Sequence, residues 1–154
     1  MPTEKERLYI EKIGLYFEQL TLPRMAGRIF GWLLISNSPQ VTMGDLGEAL
    51  KASKSSMSTM LRLLIQIGLV EMVSLPGERR DYYRICSDAW VNALNDRLNQ
   101  ARAFRQLADQ GLDLLSASSL ERRERLEEMQ SMYAFLEREL PLLTQRWLQE
   151  GKKP

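Results

Sequence analysis

Two closely spaced helix-start signals, at Thr42 and Ser53, constrain the fold of this chain most strongly. Thr42 and Asp45 form a pair like a capping box, with Asp in place of the usual Glu or Gln. Ser53 is a favourable N-cap residue before a second run of helical spacing, which ends near Gly68. Because only Lys51 to Ser53 separate the two predicted helices, the segment is typical of a helix-turn-helix.

Two short runs rich in β-forming residues follow these helices. They cover residues 69–75 and 81–86, and the residues between them begin with Pro-Gly and end with two arginines. This composition predicts a β-hairpin with a charged tip. A helix-turn-helix followed by a hairpin is the element order of a winged helix, and we predict that fold.

Helical patterns lie on both sides of this segment. We therefore predict a mainly α-helical chain with a small β-hairpin, in which residues 22–87 form the winged helix-turn-helix. An N-terminal helix within residues 1–21 and C-terminal helices within residues 88–154 are expected to support dimerisation. Gly27 and Gly31, four residues apart, would let another helix approach closely.

The second helix of the helix-turn-helix has an apolar and a polar face. The apolar face is expected to pack inward and comprises Met57, Met60, Leu61, Leu64 and Ile65. The opposite face, which we call the recognition face, comprises Lys54, Ser55, Ser58, Thr59 and Arg62. Short hydroxyl side chains and an arginine, without a carboxylate, favour insertion into the major groove of DNA. The alternative is an ordinary solvated helix start.

Basic residues are concentrated around these elements. Residues 51–84 contain six basic and three acidic residues, whereas the formal net charge of the whole chain is +1. Arg79 and Arg80 form the tip of the predicted hairpin, which we call the wing tip, and are suited to contacting phosphates or a minor groove. We expect double-stranded DNA as the partner and sequence-specific transcriptional regulation, as a repressor, as the function.

A long apolar seam marks the last helix. Its members step by three and four residues, and we call them the C-terminal seam: Leu126, Met129, Tyr133, Leu136, Leu140, Leu143 and Trp147. This spacing favours packing on another helix, and we expect a homodimer that binds two half-sites of a pseudo-palindromic operator. Packing within the chain is the alternative. Pro141 predicts a kink or break in the turn before it, and clustered serines predict a further break near residues 116–119.

Composition excludes several classes of function. The chain has no histidine and one cysteine, Cys86, so His-based catalytic sites and multi-cysteine metal sites are absent. We expect no enzymatic activity, no cofactor and no metal. Cys86 is interpreted as a small buried hydrophobe, with a redox sensor as the alternative. The charged start and the lack of a long apolar run predict no secretory signal and no membrane span, hence a cytoplasmic protein.

Three segments occur in a familiar order: residues 22–34 (LPRMAGRIFGWLL), residues 52–59 (ASKSSMST) and residues 68–84, which hold the predicted strands and wing. Together they resemble the GbsR-like branch of the MarR transcriptional regulators. The resemblance implies a homodimeric winged-helix regulator of local operons. It also implies that the recognition face contacts the major groove or phosphates and that the wing tip contacts DNA.

Some members of that branch are similar to regulators of choline and glycine-betaine metabolism. A cage for a quaternary ammonium needs several aromatic faces, and Tyr16, Trp32 and Trp90, with Tyr9 and Phe17, are available. Aromatic residues at helical spacing usually belong to a core, so core packing is the favoured interpretation and a small-molecule effector site the alternative. For the whole chain, the alternatives are a protein–protein interaction module and an architectural DNA-binding protein without an effector.

Overall fold

The computed structural model describes residues 1–115 and 120–151. The helices and strands of these residues are α1 (Glu4–Gln19), α2 (Arg24–Ile35), β1 (Val41–Thr42), α3 (Met43–Leu50), α4 (Lys54–Gln66), β2 (Val70–Ser74), β3 (Asp81–Ile85), α5 (Ala89–Leu114) and α6 (Leu120–Glu150). They form two compact units, residues 1–90 and the residues from Val91 onward. The predicted break near residues 116–119 lies outside the described residues.

Helices α1 and α2 pack against each other at very short range in the first unit. A Cβ atom added to Gly27 would lie 2.7 Å from Gly14 Cα and 2.8 Å from the carbonyl oxygen of Ile13. Only glycine fits at such a backbone-to-backbone contact. The close helix approach predicted from Gly27 and Gly31 is therefore confirmed, and α1 is the partner. Arg28 Nε donates a hydrogen bond to Glu11 Oε2 at 2.7 Å beside this contact.

The core of the first unit lies between α2, α3, α4 and the sheet. Its most deeply buried members come from each of these elements: Ile29, Leu46, Met57, Leu61, Leu64 and Val70. Phe17 of α1 and Tyr83 of β3 belong to the same core. This packing holds one side of α4 inside the protein and leaves the opposite side in solvent.

A three-stranded antiparallel sheet of order β1-β3-β2 completes the first unit. The predicted hairpin is present, with Val70 opposite Ile85 and Ser74 opposite Asp81. Strand β1, in which Val41 lies opposite Tyr83, was not predicted. Two residues are too few to show an alternating pattern, and β1 forms because the tertiary fold brings this segment beside β3.

The second unit contains most of α5 and all the described residues of α6. Phe104 of α5 stacks on Tyr133 of α6, with ring centroids 4.9 Å apart. Arg105 donates hydrogen bonds to Glu137 on α6 and to Asp109 on its own helix. No described residue of α6 is buried.

Helix α6 runs without a break through Pro141, so a break there is ruled out. Thr144 Oγ1 donates a hydrogen bond to the carbonyl oxygen of Leu140 at 3.1 Å in the following turn. Proline removes one backbone N–H from a helix interior. Leu, Glu, Gln and Arg on both sides of Pro141 favour the helix, and we attribute its continuity to them.

Candidate nucleic-acid interface

Helix caps place α3 and α4 at defined starts. Thr42 Oγ1 accepts a hydrogen bond from the backbone N–H of Asp45 at 3.1 Å, and the N–H of Thr42 donates to Asp45 Oδ2 at 3.0 Å. The predicted capping box is therefore confirmed. Ser53 Oγ accepts a hydrogen bond from the N–H of Ser56 at 3.2 Å, which confirms the predicted cap of α4. These caps satisfy N–H groups that lack partners within the helices.

The turn between α3 and α4 depends on Gly47, which the sequence interpretation did not identify. The N–H of Ala52 donates to the carbonyl oxygen of Gly47 at 2.9 Å. A Cβ atom on Gly47 would lie 3.1 Å from the carbonyl oxygen of Ala52, tighter than ordinary contact. The available signal in the sequence was a glycine inside α3, a helix with a clear apolar face, because glycine there often marks a close contact. Lys51 in this turn adopts a left-handed conformation with φ of +52°.

The inward face of α4 agrees with prediction at most positions. Met57, Leu61 and Leu64 are buried, and Met60 is half-buried. The prediction was wrong for Ile65, whose exposed fraction is 41%. Ile65 follows Leu64 directly and so lies at the edge of the buried face, near the end of the helix, rather than at its centre.

The recognition face lies on the solvent side of α4. Lys54, Ser55, Thr59 and Arg62 are exposed, and Ser58 is half-buried. Thr59 Oγ1 donates a hydrogen bond to the backbone carbonyl of Ser55 at 3.0 Å. The lone pairs of the Thr59 hydroxyl oxygen can therefore still accept a hydrogen bond from DNA. Among the described residues no ion pair involves Lys54 or Arg62.

The wing projects its two arginines into solvent. Its turn includes Gly77, whose φ of +82° suits glycine, and the N–H of Glu78 donates to the carbonyl of Leu75 at 3.1 Å. Arg79 and Arg80 are exposed, and no ion pair within the described ranges involves them. Arg84 differs, because its Nε lies 2.6 Å from Glu71 Oε1 across the hairpin.

A cavity of about 560 Å³ lies where α3, α4 and the wing meet. Its lining residues include Lys54 at the start of α4, Arg80 of the wing tip, and Thr42, Met43 and Gly44 at the start of α3. The structure thus brings together two predicted DNA contacts that are far apart in the sequence.

The predicted effector residues are not gathered in one place. Tyr16 is exposed, Trp32 lines a different cavity of about 380 Å³, and Trp90 packs edge-on against Phe30 at a centroid distance of 5.9 Å. Among the described residues no ring contact joins Tyr16, Trp32 and Trp90 to one another. Phe17 packs on Phe30, as expected for a core residue.

The C-terminal seam divides into two parts. Tyr133 stacks on Phe104, and a Cβ atom on Gly111 would lie 2.8 Å from Leu126 Cδ1, so the first part packs on α5 of the same chain. Leu143 and Trp147 at the far end are 48% and 51% exposed. The alternative of packing within the chain therefore holds for the first part, and a large apolar surface is left on the second.

Cys86 follows β3 and is half-buried. Its N–H donates to the carbonyl of Leu69 at 2.9 Å. Burial raises the pKa of the Cys86 thiol, and the carboxylates of Glu71 and Asp88 raise it further. A raised pKa disfavours the reactive thiolate and supports the interpretation of Cys86 as a small hydrophobe.

The described residues lack both a membrane-spanning helix and a cluster of metal-ligating side chains. No helix in these ranges combines the length and the apolar character needed to cross a membrane. No group of three or more Cys, Asp or Glu side chains in the same ranges is arranged to hold a metal ion.

Known proteins resemble both units of this chain. The model of the MarR family matches residues 20–81, and the model of MmpR5-like MarR family transcriptional regulators matches residues 88–150. The HTH-type transcriptional regulator MmpR5 of Mycobacterium tuberculosis (strain ATCC 25618 / H37Rv) is 36% identical over 129 residues, which are 84% of this chain and 78% of that protein.

Two further comparisons agree with these matches. The HTH-type transcriptional repressor OpcR of Bacillus subtilis (strain 168) is 32% identical over 83 residues, which are 54% of this chain and 44% of that protein. A crystal structure described as a transcriptional regulator superposes with a TM-score of 0.81 at 34% identity, covering 94% of this chain and 99% of that one. With its winged helix-turn-helix, this chain belongs to the MarR family of transcriptional regulators.

Proposed function

We propose that this MarR-family regulator is a repressor that binds a pseudo-palindromic operator as a homodimer. The observation that carries the proposal is the exposed recognition face, which is free of carboxylates and stands beside the exposed wing tip. A repressor of this kind excludes other proteins from a promoter by occupying it. As a regulator of transcription it would act in the cytoplasm, in contact with DNA.

The recognition face has the shape and chemistry for a major groove. Ser55, Ser58 and Thr59 are short, so the backbone of α4 can lie deep in the groove. Arg62 is exposed and makes no ion pair among the described residues, so its guanidinium is available to hydrogen-bond guanine O6 and N7. Lys54 and the wing tip carry positive charges that can contact DNA phosphates. Such contacts set the affinity for DNA and its dependence on salt.

Dimerisation is supported by the apolar surface of the second unit. The C-terminal seam ends in the half-exposed Leu143 and Trp147, and Met132, Phe135 and Leu142 add further exposed apolar area on α6. Large exposed apolar surfaces on monomers are uncommon and mark interaction sites. A two-fold dimer also places two copies of α4 on half-sites one helical turn apart.

The GbsR-like branch and a small-molecule effector stay predictions. Titration with choline and betaine, followed by calorimetry, tests the alternative that Tyr16, Trp32 and Trp90 form a cage. Heat of binding that disappears in Trp32→Ala would support the cage. Flat titrations of folded, DNA-competent protein would remove it.

The operator test compares Arg62→Ala with the unaltered chain on sites selected from genomic DNA fragments. We expect Arg62→Ala to lose discrimination between selected and altered sites by about 1–3 kcal/mol if Arg62 contacts a guanine. Arg79→Ala combined with Arg80→Ala should weaken binding to all sequences alike and flatten the salt dependence. Binding isotherms at several salt concentrations measure both effects.

The matched control is Arg125→Ala, which removes an exposed arginine from α6. Equal loss of discrimination in Arg125→Ala and Arg62→Ala would contradict the assignment of the recognition face. Tight binding without any sequence preference would favour the architectural alternative. No binding to any fragment, by a protein that is folded and dimeric, would favour the protein–protein module.

A further inference from the structure

The cavity between α3, α4 and the wing joins the two parts of the proposed DNA interface. Lys54, the first residue of α4, and Arg80, the residue before β3, both line it. Arg79, the other residue of the wing tip, is not among the lining residues of the cavity. The two arginines of the wing tip are therefore in different surroundings, although they are adjacent and both exposed.

The charge of Arg80 acts on the start of α3. Hydrogen bonds from the side chain and backbone of Thr42 lower the pKa of Asp45, and the positive charge of Arg80 lowers it further. The guanidinium of Arg80 is thus close enough to α3 for its field to be felt there. No ion pair in the described part of the chain holds Arg80 or Lys54, so both charges are available to an anion.

The rest of the cavity wall leaves room for an anion. A Cβ atom on Gly44 would meet only Thr42 Oγ1, at 3.7 Å, so the wall is open at this residue. Burial raises the pKa of Tyr83, so its phenol stays neutral at ordinary pH. Asp81 is the acidic residue of the wall, and its carboxylate accepts a hydrogen bond from Ser74 Oγ at 3.4 Å across the hairpin.

We propose that this cavity receives one phosphodiester of the DNA backbone, held jointly by Lys54 and Arg80. The proposal rests on the DNA-binding function above and adds that α4 and the wing share a phosphate. Phosphate contacts fix the register of a protein on DNA. A shared phosphate therefore sets the position of α4 in the groove relative to the wing.

The test is a double-mutant cycle measured at several salt concentrations on a selected DNA site. The variants are Lys54→Ala, Arg80→Ala and their combination, and the matched control cycle replaces Arg80→Ala by Arg79→Ala. The salt exponent of binding changes by about 0.9 for each neutralised phosphate. We expect the Lys54/Arg80 double variant to lose about 0.9 in that exponent, and the Lys54/Arg79 double variant about twice as much.

Affinity provides a second measure from the same data. Each single substitution lowers the affinity for DNA by a factor. If Lys54 and Arg80 hold the same phosphate, their effects are coupled. We then expect the factor lost in the double variant to be at least about threefold smaller than the product of the two single factors. For Lys54 and Arg79, which are not expected to share a phosphate, the factor lost in the double variant should equal the product of the two single factors. Thermal melts check that all variants stay folded, as expected for exposed side chains.

Methylphosphonate scanning of the DNA identifies the phosphate. We expect one position in each half-site at which a neutral linkage weakens DNA binding. The weakening should be seen with the unaltered chain and with the Arg79→Ala variant. It should be absent with the Lys54/Arg80 double variant, which no longer holds that phosphate. Inorganic phosphate at matched ionic strength should not compete through Lys54 and Arg80. Competition that disappears in the double variant would show a free-anion site and overturn the assignment to the DNA backbone.

Different results would overturn the shared phosphate and the proposed DNA-binding function. Multiplicative losses for Lys54 and Arg80, with twice the salt effect, would overturn the shared phosphate while leaving DNA binding intact. Unchanged affinity in every Lys54, Arg79 and Arg80 variant, together with unchanged discrimination in Arg62→Ala, would overturn the proposed interface as a whole.

Discussion

The two units of this chain use their apolar residues in different ways. In residues 1–90, Ile29, Leu46 and Met57 are fully buried, and α2, α3 and α4 each pack on more than one neighbour. In the second unit α6 has no buried residue, and Phe135 and Trp147 are about half exposed. A helical apolar pattern therefore predicts which face of a helix will pack against another element, but not whether that element belongs to the same chain.

The number of packing layers explains this difference. The first unit surrounds α2 and α4 with α1, α3 and a sheet, so the apolar faces of α2, α3 and α4 meet another element. Helix α1 is the exception, because Leu8, Leu15 and Tyr16 are exposed. Among the described residues of the second unit, α5 and α6 pack only on each other. One helix covers only a narrow stripe of another, so the remaining apolar side chains stay in solvent unless a further chain covers them.

The largest effect is expected for a core residue of the first unit. Leu64→Ala removes a fully buried side chain and should lower the free energy of unfolding by about 2–5 kcal/mol. Leu142→Ala on α6 makes the same chemical change at an exposed residue and should change it by less than about 0.5 kcal/mol at low protein concentration. Urea denaturation at equal protein concentration compares the two. Similar losses would refute the contrast between the units.

A smaller effect is expected for self-association. Trp147→Ala should weaken the dimer by about 1–3 kcal/mol, because large aromatic residues dominate the energetics of interfaces. Trp90 is the matched control, since its exposed fraction of 50% is close to the 51% of Trp147 but it belongs to the first unit. Sedimentation equilibrium measures both variants.

Two outcomes would change the interpretation of α6. A Trp147→Ala protein with an unaltered dimer constant would show that the far end of the C-terminal seam is not an interface. Equal weakening by Trp90→Ala would show that the interface includes the first unit as well.

The smallest effect concerns the cap of α3 in the first unit. Asp45 accepts hydrogen bonds from Thr42, and these lower its pKa below the ordinary value of 3.8. A lowered folded-state pKa stabilises the protein above the unfolded value and loses this effect as the pH falls through the folded value. Asp45→Asn should therefore cost about 0.3–1 kcal/mol at pH 7, with a difference that shrinks in acid below about pH 4.

Thermal melts of both proteins across this pH range check the prediction. A difference that stays constant with pH would assign the effect to hydrogen-bond geometry rather than to the charge of Asp45. A difference that grows in acid would contradict the direction of the pKa shift.

Local features of the fold were predictable because their causes are local. The caps at Thr42 and Ser53 act within three residues of their own helices, and the Pro-Gly turn acts within the hairpin. The glycine contact of α2 was also predictable, because Gly27 and Gly31 lie on one side of that helix. Such signals need no knowledge of distant residues.

Other features depended on neighbours that the sequence pattern does not identify. Strand β1 exists because Val41 lies beside Tyr83, and the exposure of Ile65 follows from how α4 rests on the core. The pairing of Tyr133 with Phe104 decided which part of the C-terminal seam stays free.

The sequence by itself determined the order of the helices and the hairpin, the caps at Thr42 and Ser53, and the polar character of the recognition face. Hydrogen bonds and periodicity over a few residues are sufficient for these. Only the tertiary structure decided that Lys54 and Arg80 line one cavity while Arg79 does not. That outcome depends on the sheet register and on the packing of α3, which bring residues distant in the chain to the same place.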